Sequence, residues 1–395
     1  MGSNISSSQK QYSDTDLLQT CSGHNVGINC LALCDEEEGR EGENFMILAS
    51  GSDDGVICIW QSESRDSAFQ LTCTHSLNEH QGYITGLVFH KKYLISASSD
   101  STIRKWNYKT GKCERVFTGH TDVVRKIICA NDYILSASHD KTAICWNFHT
   151  GQILNTFKGH TRLVNSIAYY GTEVNLIQNV NNTTETVSTT SRFEFIYTGS
   201  ADHTAKSWSF KSSKCMITFE GHTKPITTME VFKDGEILLT SSADNTIRSW
   251  FTESGLPQFV FVGHKGIIVS MHINSANKML FTGSIDHTAR SWSIETGKAI
   301  RTFSRHGRAV NYVRNYKTML ITASSDGYVR LFDEKTGELL KVFMHTNKEG
   351  CVAFEIYQNY LFSASNDGKI YVWRYSTNEQ MIETNENGNN NQNID

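Results

Sequence analysis

Serine, histidine and aspartate, the side chains of a hydrolase triad, recur together along this chain at fixed spacing. In the stretch from Gly119 to Trp146, His120 is followed by Ser136, then by Asp140, and Trp146 closes the unit. A serine nucleophile, a histidine base and an orienting carboxylate would together support acyl transfer. These residue types therefore make catalysis the first hypothesis to test.

The number of copies argues against catalysis. The histidines are His24, His80, His120, His160, His222, His264, His306 and His345. The hydroxyl residues four before each aspartate are Ser50, Ser96, Ser136, Thr198, Thr240, Thr282, Thr322 and Ser363. The aspartates, each with the aromatic residue six positions later, are Asp54/Trp60, Asp100/Trp106, Asp140/Trp146, Asp202/Trp208, Asp244/Trp250, Asp286/Trp292, Asp326/Phe332 and Asp367/Trp373. An enzyme needs one such site, whereas a repeated fold needs one per structural unit.

A structural network accounts for the same residues. A buried imidazole needs partners for both nitrogens, a buried carboxylate needs donors, and an indole needs an acceptor. We therefore predict hydrogen-bonded tetrads, represented by His120, Ser136, Asp140 and Trp146 and by His264, Thr282, Asp286 and Trp292. Each bond contributes about 1 kcal/mol net, but a buried member without a partner costs about 1–3 kcal/mol.

Other chemistry-bearing motifs are absent from the sequence. It contains no GxSxG, P-loop or HExxH pattern, and its ten cysteines include no CxxC pair. We therefore predict no catalytic residues, no metal site and no cofactor. Cys58, Cys129 and Cys145 lie in apolar stretches, where a free thiol behaves as a small hydrophobic residue.

The segments between these polar residues predict an all-β chain. Short runs rich in β-branched and aromatic residues are bounded by Gly, Asn, Asp and Ser, as in residues 124–129, 133–138 and 246–250. Successive aspartates lie 46, 40, 62, 42, 42, 40 and 41 residues apart. The two long intervals coincide with a polar connector at 62–78 and a Thr/Asn-rich insert at 171–192, which we expect to be surface loops. An acidic segment at 35–44 lengthens the first unit.

The GH, S-x-S-x-D and Trp positions resemble the WD40-repeat family over about residues 17–375. The resemblance implies a β-propeller of eight four-stranded blades, with seven as the alternative. The first strand, around 17–21, precedes any complete unit, so it is expected to pair with the last blade and close the ring, since unpaired strand edges aggregate. Glu79, Arg305 and Met344 replace the glycine before the histidine, and Glu349 stands where other units have Val or Ile, which predicts a shifted strand there.

The same resemblance implies where partners dock. In propellers similar to G-protein β subunits, partners contact residues three and five after the histidine and the residue before the aspartate. The positions that match in this sequence are Tyr83, Val123, Arg125, His139, Leu163, Pro225, Ala243, Ile267, Val269 and Ile285. We therefore predict a non-catalytic scaffold that binds other proteins or peptides, as a monomeric propeller within a complex.

Three alternatives remain at this stage. In the first, the ten docking positions line an unoccupied central channel. In the second, cations two residues before the aromatic residue bind phosphate, as in an adaptor that reads phosphopeptides. This column of cations comprises Arg104, Lys206, Arg248, Arg290 and Arg330. We expect instead that these side chains cover the strand edge and keep their charge in water. A propeller enzyme or small-ligand binder would instead need converging ligands in the central channel.

Bulk properties narrow the partner class and location. The net charge of −4, without a long basic run, does not favour nucleic acid. No apolar run is long enough to span a bilayer, and the N-terminus lacks the apolar core of a secretory signal. These features predict a cytoplasmic protein.

The two ends of the chain are polar. Residues 1–13 and 376–395 are predicted to be disordered tails around a propeller at 14–375. Met1, Gly2 and Ser6 match the N-myristoylation pattern, so Gly2 is the predicted acylation site. One acyl chain binds membranes only weakly, and Lys10 is the nearest cation, so we expect weak, reversible membrane association.

Overall fold

The computed structural model describes residues 16–34, 46–65, 68–178, 187–232, 235–276 and 278–375, without side chains at 63–65, 68, 172–178 and 187–193. Its regular elements are 32 β-strands. Within these residues there is no helix that is long and apolar enough to cross a bilayer. Gly2, both predicted tails and the acidic segment at 35–44 lie outside the described residues.

The strands form eight antiparallel sheets of four strands each, which are the blades. Blade 1 contains β2 (Ile28–Leu33), β3 (Ile47–Ser52), β4 (Ile57–Arg65) and β5 (Ala68–Leu77). Blade 2 contains β6 (Ile84–His90), β7 (Tyr93–Ser98), β8 (Ile103–Asn107) and β9 (Lys112–Phe117). Blade 3 contains β10 (Val124–Ala130), β11 (Tyr133–Ser138), β12 (Thr142–Asn147) and β13 (Ile153–Lys158). Blade 4 contains β14 (Val164–Gln178), β15 (Val187–Ser200), β16 (Ala205–Ser209) and β17 (Cys215–Phe219).

The second half of the chain repeats this arrangement. Blade 5 contains β18 (Ile226–Phe232), β19 (Ile237–Ser242), β20 (Ile247–Phe251) and β21 (Pro257–Phe261). Blade 6 contains β22 (Ile268–Asn274), β23 (Met279–Ser284), β24 (Ala289–Ser293) and β25 (Ala299–Phe303). Blade 7 contains β26 (Val310–Tyr316), β27 (Met319–Ser324), β28 (Tyr328–Asp333) and β29 (Leu339–Met344). Blade 8 contains β30 (Cys351–Tyr357), β31 (Tyr360–Ser365), β32 (Lys369–Arg374) and, from the other end of the chain, β1 (Leu17–Ser22).

The burial of each strand follows its place in the blade. In β11 every residue from Ile134 to Ser138 is buried, because neighbouring blades cover both faces of a second strand. In the outer strand β9 only Phe117 is buried, and its ring packs edge-on against Trp146 of the next blade at 5.9 Å between centroids. The aromatic residue that ends each sequence unit therefore fills the space between two blades.

The predicted closure of the ring is confirmed. β1 pairs antiparallel with β32, with Leu17 opposite Trp373 and Cys21 opposite Ile370. The side-chain amide of Gln19 also donates to the Leu71 carbonyl and accepts from the Leu71 amide, both at 2.8 Å. Because β1 belongs to blade 8 and Leu71 to blade 1, the first strand holds the closing seam on both sides. The count is eight blades, and the seven-blade alternative is wrong.

Two segments expected to be surface loops are largely strand. The pairing of β14 with β15 continues to Gln178 opposite Val187, and the pairing of β4 with β5 continues to Arg65 opposite Ala68. Both hairpins extend from the end of the blade opposite the His and Asp turns. The strand shift predicted in the last unit is confirmed, because Cys351, six residues after His345, takes the register that Val124, four after His120, has in blade 3.

Candidate functional site

The tetrad of blade 3 satisfies every polar group that it buries. Nδ1 of His120 lies 2.6 Å from Oδ2 of Asp140, and Nε2 lies 2.7 Å from Oγ of Ser136. The same Ser136 oxygen accepts from Nε1 of Trp146 at 2.9 Å. The amide of Thr121 donates to Oδ2 of Asp140, and the amide and hydroxyl of Thr142 donate to Oδ1. The imidazole, carboxylate, hydroxyl and indole therefore all have partners, as predicted.

The same complete tetrad occurs in blades 2 to 6. The His–Asp distances are 2.7 Å for His80–Asp100, 2.6 Å for His120–Asp140, 2.8 Å for His160–Asp202, 2.8 Å for His222–Asp244 and 2.7 Å for His264–Asp286. Burial alone would raise the pKa of these aspartates, but hydrogen bonds from His and Thr outweigh it, so their pKa is well below the ordinary value. The carboxylates are thus held ionised and fully occupied.

The tetrad is incomplete in the remaining blades, which the sequence alone did not predict. In blade 1, Nδ1 of His24 lies 3.4 Å from Asp54. In blade 8, Asp367 accepts instead from the Tyr371 hydroxyl at 2.9 Å, and the Tyr371 ring stacks on His345. In blade 7, Arg330 binds Asp326 with two nitrogens, at 2.9 and 3.0 Å, which leaves Nδ1 of His306 without a side-chain partner.

Arg305 accounts for the position of Arg330 in blade 7, where Tyr328 and Phe332 also replace the threonine and tryptophan of the complete tetrads. In blades 5 and 6 the guanidinium of Arg248 or Arg290 lies over the tryptophan ring, beside the glycine that precedes the histidine. A Cβ on Gly263 would come within 2.8 Å of the Arg290 guanidinium. In blade 7, Arg305 occupies the position of this glycine, with a φ of 113°. The space that the Arg248 or Arg290 guanidinium occupies in blades 5 and 6 is therefore filled and positively charged in blade 7. Arg330 therefore turns to Asp326.

A second serine, two residues before each aspartate, connects the two turns at this end of the blade. In blade 3 the Ser138 hydroxyl donates to the Asp122 carbonyl and accepts from the Asp140 amide, both at 3.1 Å. The residue before the aspartate also donates its amide to the carbonyl three residues after the histidine, as in His139 to Val123 at 2.9 Å. These bonds bring the predicted docking positions onto one end of the ring, which we call the tetrad face.

The ten predicted docking residues differ in exposure. Tyr83, Leu163, Val269 and Ile285 are 42%, 37%, 37% and 43% exposed, and Arg125 is also exposed. The remaining five are half-buried: Val123, His139, Pro225, Ala243 and Ile267. Ile285 and Ile267 are joined by a backbone bond of 3.0 Å, and Ala243 and Pro225 by one of 2.9 Å, so in blades 5 and 6 these pairs adjoin. All ten belong to blades 2 to 6, which form one continuous arc.

The position five residues after the histidine has a structural role that sequence reasoning missed. In five blades its side chain donates a hydrogen bond to a backbone carbonyl of the next blade. The acceptor is the first residue of that blade's first strand. These bonds are Asn29 to Ile84, Thr85 to Val124, Asn165 to Ile226, Thr227 to Ile268 and Asn311 to Cys351. Arg125 and Val269 occupy the same position without such a bond in the described residues, and Val269 has no donor to offer. Both of these side chains are exposed at the tetrad face.

The family model for the WD domain, G-beta repeat, matches eight segments of this chain: 15–61, 71–107, 111–147, 151–209, 213–250, 255–293, 297–333 and 337–374. The chain belongs to the WD40 family. Each matched segment joins the outer strand of one blade to the three following strands of the next, so the family repeat is offset from the blade by one strand.

Individual relatives match over shorter stretches. The mitochondrial division protein 1 of Vanderwaltozyma polyspora is 32% identical over 23% of this chain and 13% of its own length. The nuclear distribution protein PAC1 of Komagataella phaffii is 34% identical over 26% of this chain and 21% of its own length. The cell division control protein 4 of Candida albicans is 38% identical over 20% of this chain and 11% of its own length. The chain thus spans about a fifth or less of these relatives.

A solved structure covers almost the whole ring. The crystal structure of the computationally designed Ika8 protein superposes with a TM-score of 0.73 at 23% identity, covering 91% of this chain and 99% of that one. This likeness shows the fold alone. WD40 propellers are in general non-catalytic and bind other proteins, which is the coarse function that family membership gives.

In this WD40 propeller the cation column is occupied by internal contacts. Arg104 binds the Glu79 carboxylate and lies over Trp106, Lys206 donates to Thr218, and Arg330 binds Asp326. The expectation that these charges stay in water is wrong for Arg330, which is 7% exposed, whereas the other four side chains are half-buried. The column braces the strands around each aromatic residue, and the arrangement gives no support to a phosphate-binding ring.

The first strands of blades 5 to 8 carry charged side chains that are not among the ten predicted docking residues. Arg314 binds Glu355 of the next blade at 2.7 Å, and Glu230 accepts from the Ile273 amide of the next blade at 3.1 Å. Burial raises the pKa of Glu230 to about 7, opposed by the charge of Lys126. The available signal was one acidic or basic residue in each of β18, β22, β26 and β30, namely Glu230, His272, Arg314 and Glu355. Within the described part of the chain, no group of three or more His, Cys, Asp or Glu side chains is placed to hold a metal.

The incomplete tetrads predict a fold that loses stability in mild acid. Burial lowers the pKa of His306 and of His345 to about 4. The unfolded chain protonates these imidazoles near pH 6.5, so the free energy of unfolding should decrease as the pH falls from about 6.5 towards 4. The loss is on the order of 3 kcal/mol per histidine. Below this range, protonation of the tetrad aspartates removes further stability, because their folded pKa is lowered. Urea unfolding followed by tryptophan fluorescence at several pH values measures this decrease.

A non-titrating variant gives the control. His306→Gln keeps a hydrogen-bonding group for Thr322 but cannot take up a proton, so its stability should depend less steeply on pH between about 6.5 and 4. An identical pH dependence in wild type and variant would contradict the assignment to this histidine.

Proposed function

We propose that this chain is a non-catalytic scaffold whose tetrad face binds an acidic segment of another protein that also carries apolar side chains. The observation that carries the proposal is an alternation of exposed cations and apolar residues along blades 4 to 7. The scaffold acts as a single propeller within a larger complex.

The cations follow the histidines directly. Arg162, Lys224, Lys265 and Arg308 lie one or two residues after His160, His222, His264 and His306, and all four are exposed. The residue three after each histidine is Leu163, Pro225, Ile267 or Ala309. Each of these four blades thus presents a positive side chain next to an apolar one.

The same surface lacks free negative charge. No carboxylate occurs in blades 4 to 7 at two sets of described positions. These are the residues one, two, three and five after each histidine, and the residues that flank each tetrad aspartate. The tetrad aspartates of blades 4 to 6 are themselves occupied by His and Thr donors. The exposed positive charges are therefore not neutralised within these columns, and an acidic partner would complement them.

Apolar anchors and one further cation extend this surface. Ile285 and Val269 in blade 6 are exposed beside half-buried Ile267, and Arg125 in blade 3 lies free of the inter-blade bond. A few apolar side chains in a desolvated centre dominate the affinity of a protein interface, while charges at the rim set specificity and association rate. Blades 3 to 6 supply both parts.

Selection from a random peptide library displayed on phage tests this function. Peptides enriched on the wild-type chain should contain clustered Asp or Glu beside Leu, Ile, Phe or Val, and their affinity should fall with increasing salt because the rim charges are screened. Replacing Ile285 by Glu should reduce the affinity of a selected peptide by at least about tenfold, the scale of one lost anchor. Lys224→Glu combined with Lys265→Glu should do the same without unfolding the ring, since both lysines are exposed.

Lys112→Glu combined with Lys298→Glu is the matched control, because it makes the same charge change on exposed residues at the opposite end of the blades. Selected peptides without an acidic bias, or equal losses in the control, would overturn the proposal. Binding that requires phosphorylated versions of the peptides would favour the phosphopeptide-reading alternative.

For the N-terminus we propose weak tethering by myristoylation of Gly2, so that part of a cytoplasmic population reaches membranes. The support is the Met1-Gly2 start with Ser6, because the pattern requires glycine next to the initiator methionine and a small hydroxyl residue further on. Intact mass of the protein from eukaryotic cells should show loss of Met1 and one added myristoyl group, both lost in Gly2→Ala. An unmodified wild-type mass would end this proposal.

A further inference from the structure

Blade 5 ends in an outer strand whose exposed side chains are apolar. Val260 in β21 is 42% exposed, and Val262, directly after the strand, is 70% exposed. Leu256, which precedes the strand, is 63% exposed. The sequence contains no charged residue between Glu253 and Lys265. This edge of the ring therefore presents an uncharged, apolar strand to solvent.

The position of Val262 is polar in most of the other blades. Val262 follows Phe261, which lies opposite Ile247. Six of the other seven outer strands place an exposed polar residue in the same register: Ser22, Asn78, Thr118, Lys158, Glu220 and Ser304. The seventh places Met344 there, and its side chain is half-buried. Among these described positions, blade 5 alone has an exposed apolar side chain.

The backbone of β21 is unpaired on its outer side. β21 is the last strand of its sheet, with β20 as its one neighbour. The Phe259 amide points towards β20, because it donates to the Ser249 hydroxyl at 3.0 Å. Residues along an antiparallel strand alternate between facing the partner and facing away, so the amide and carbonyl groups of Val260 and Val262 point outwards. Proline often protects an edge strand, but here Pro257 occupies the first position and leaves the rest open.

We propose that the outer edge of blade 5 binds an extended, uncharged segment of another protein, which adds a fifth strand to this four-stranded sheet. Alternate outward amide and carbonyl groups are matched by the backbone of another strand. Because Pro257 cannot donate a backbone bond, the paired length is limited to about five residues.

The chemistry of the bound segment follows from the face on which the two valines lie. The Phe261 ring packs against Trp292 of blade 6, with 6.0 Å between centroids, so Val260 and Val262 face away from blade 6. Side chains directly across two paired strands contact each other. The segment therefore carries Val, Ile, Leu or Phe at alternate positions, beside the two valines.

This site is separate from the tetrad face. It lies on an outer strand, whereas the cations and apolar anchors of the tetrad face follow the histidines and precede the aspartates. The site also takes an uncharged segment rather than an acidic one. Either surface can therefore fail its test while the other passes.

Blade 2 supplies the matched control. Val116 has in β9 the register position that Val260 has in β21, and it is 41% exposed. It directly follows Glu114 and Arg115, whereas Val260 follows an uncharged stretch. Charged residues protect a strand edge from pairing, so the edge of blade 2 is not expected to bind the segment.

A phage-displayed peptide library without charged residues, and with Val, Ile, Leu or Phe at alternate positions, is the probe. The wild-type chain should enrich peptides from it, and an enriched peptide should bind Val260→Lys at least about tenfold more weakly, because a charge replaces the apolar cross-strand contact. Its affinity should be unchanged in Val116→Lys and in Lys224→Glu combined with Lys265→Glu. No enrichment, or equal losses in Val260→Lys and Val116→Lys, would overturn the proposal.

Backbone measurements distinguish strand pairing from a purely apolar contact, and they use the wild-type chain. Methylation of alternate amide nitrogens of the peptide should weaken binding at least about tenfold in one register and leave it unchanged in the other, since only alternate amides face β21. Hydrogen exchange of residues 256–262 should slow when the peptide binds, while that of residues 112–118 should not change.

Three results would contradict strand addition by another protein. They are equal effects of methylation in both registers, unchanged hydrogen exchange at residues 256–262, and a concentration-dependent dimer of the chain that Val260→Lys abolishes. The dimer would assign this edge to a second copy of the chain.

Discussion

A hydroxyl oxygen with two hydrogen-bond partners is the point on which each blade depends. The oxygen of Ser136 accepts from the Trp146 indole and bonds the imidazole of His120, whose other nitrogen holds Asp140. In this way the tryptophan, which lies between two blades, is connected to the turns that form the tetrad face. Each bond contributes only about 1 kcal/mol, but all of the partners are buried, so an unpaired member would cost about 1–3 kcal/mol. The network therefore specifies one register for each blade rather than merely adding stability.

Variation around this network gives the ring its asymmetry. Blades 2 to 6 carry complete tetrads, and the same arc carries the ten predicted docking residues. Blades 7 and 8 replace the His–Asp pair by Arg330–Asp326 and Tyr371–Asp367. Blade 8 is also the blade that must accept a strand from the far end of the chain. The regular blades thus carry the predicted docking residues, and the irregular ones lie at or next to the closing seam.

Much of this architecture follows from the sequence because the pattern repeats. The strand class was predicted from short runs rich in β-branched and aromatic residues. The eight blades, the pairing of β1 with β32 and the shifted strand at Glu349 were predicted from the repeated pattern and its resemblance to the WD40 family. The broken tetrads were not, because they arise from the size and charge of single residues such as Arg305, whose effect depends on where Arg330 would otherwise lie. The hydrogen bonds that Asn and Thr side chains make between blades were not predicted from the sequence, because their acceptors are backbone carbonyls of another unit.

A double-mutant cycle on the His–Asp pair tests the structural account of the tetrad most directly. The free energies of unfolding of His120→Ala, Asp140→Ala and the double variant give the coupling energy in blade 3, and the same changes at His306 and Asp326 give it in blade 7. The account predicts a coupling of about 2 kcal/mol in blade 3 and less than about 0.5 kcal/mol in blade 7, where Arg330 holds the carboxylate. Negligible coupling in blade 3, or equal coupling in both blades, would contradict it.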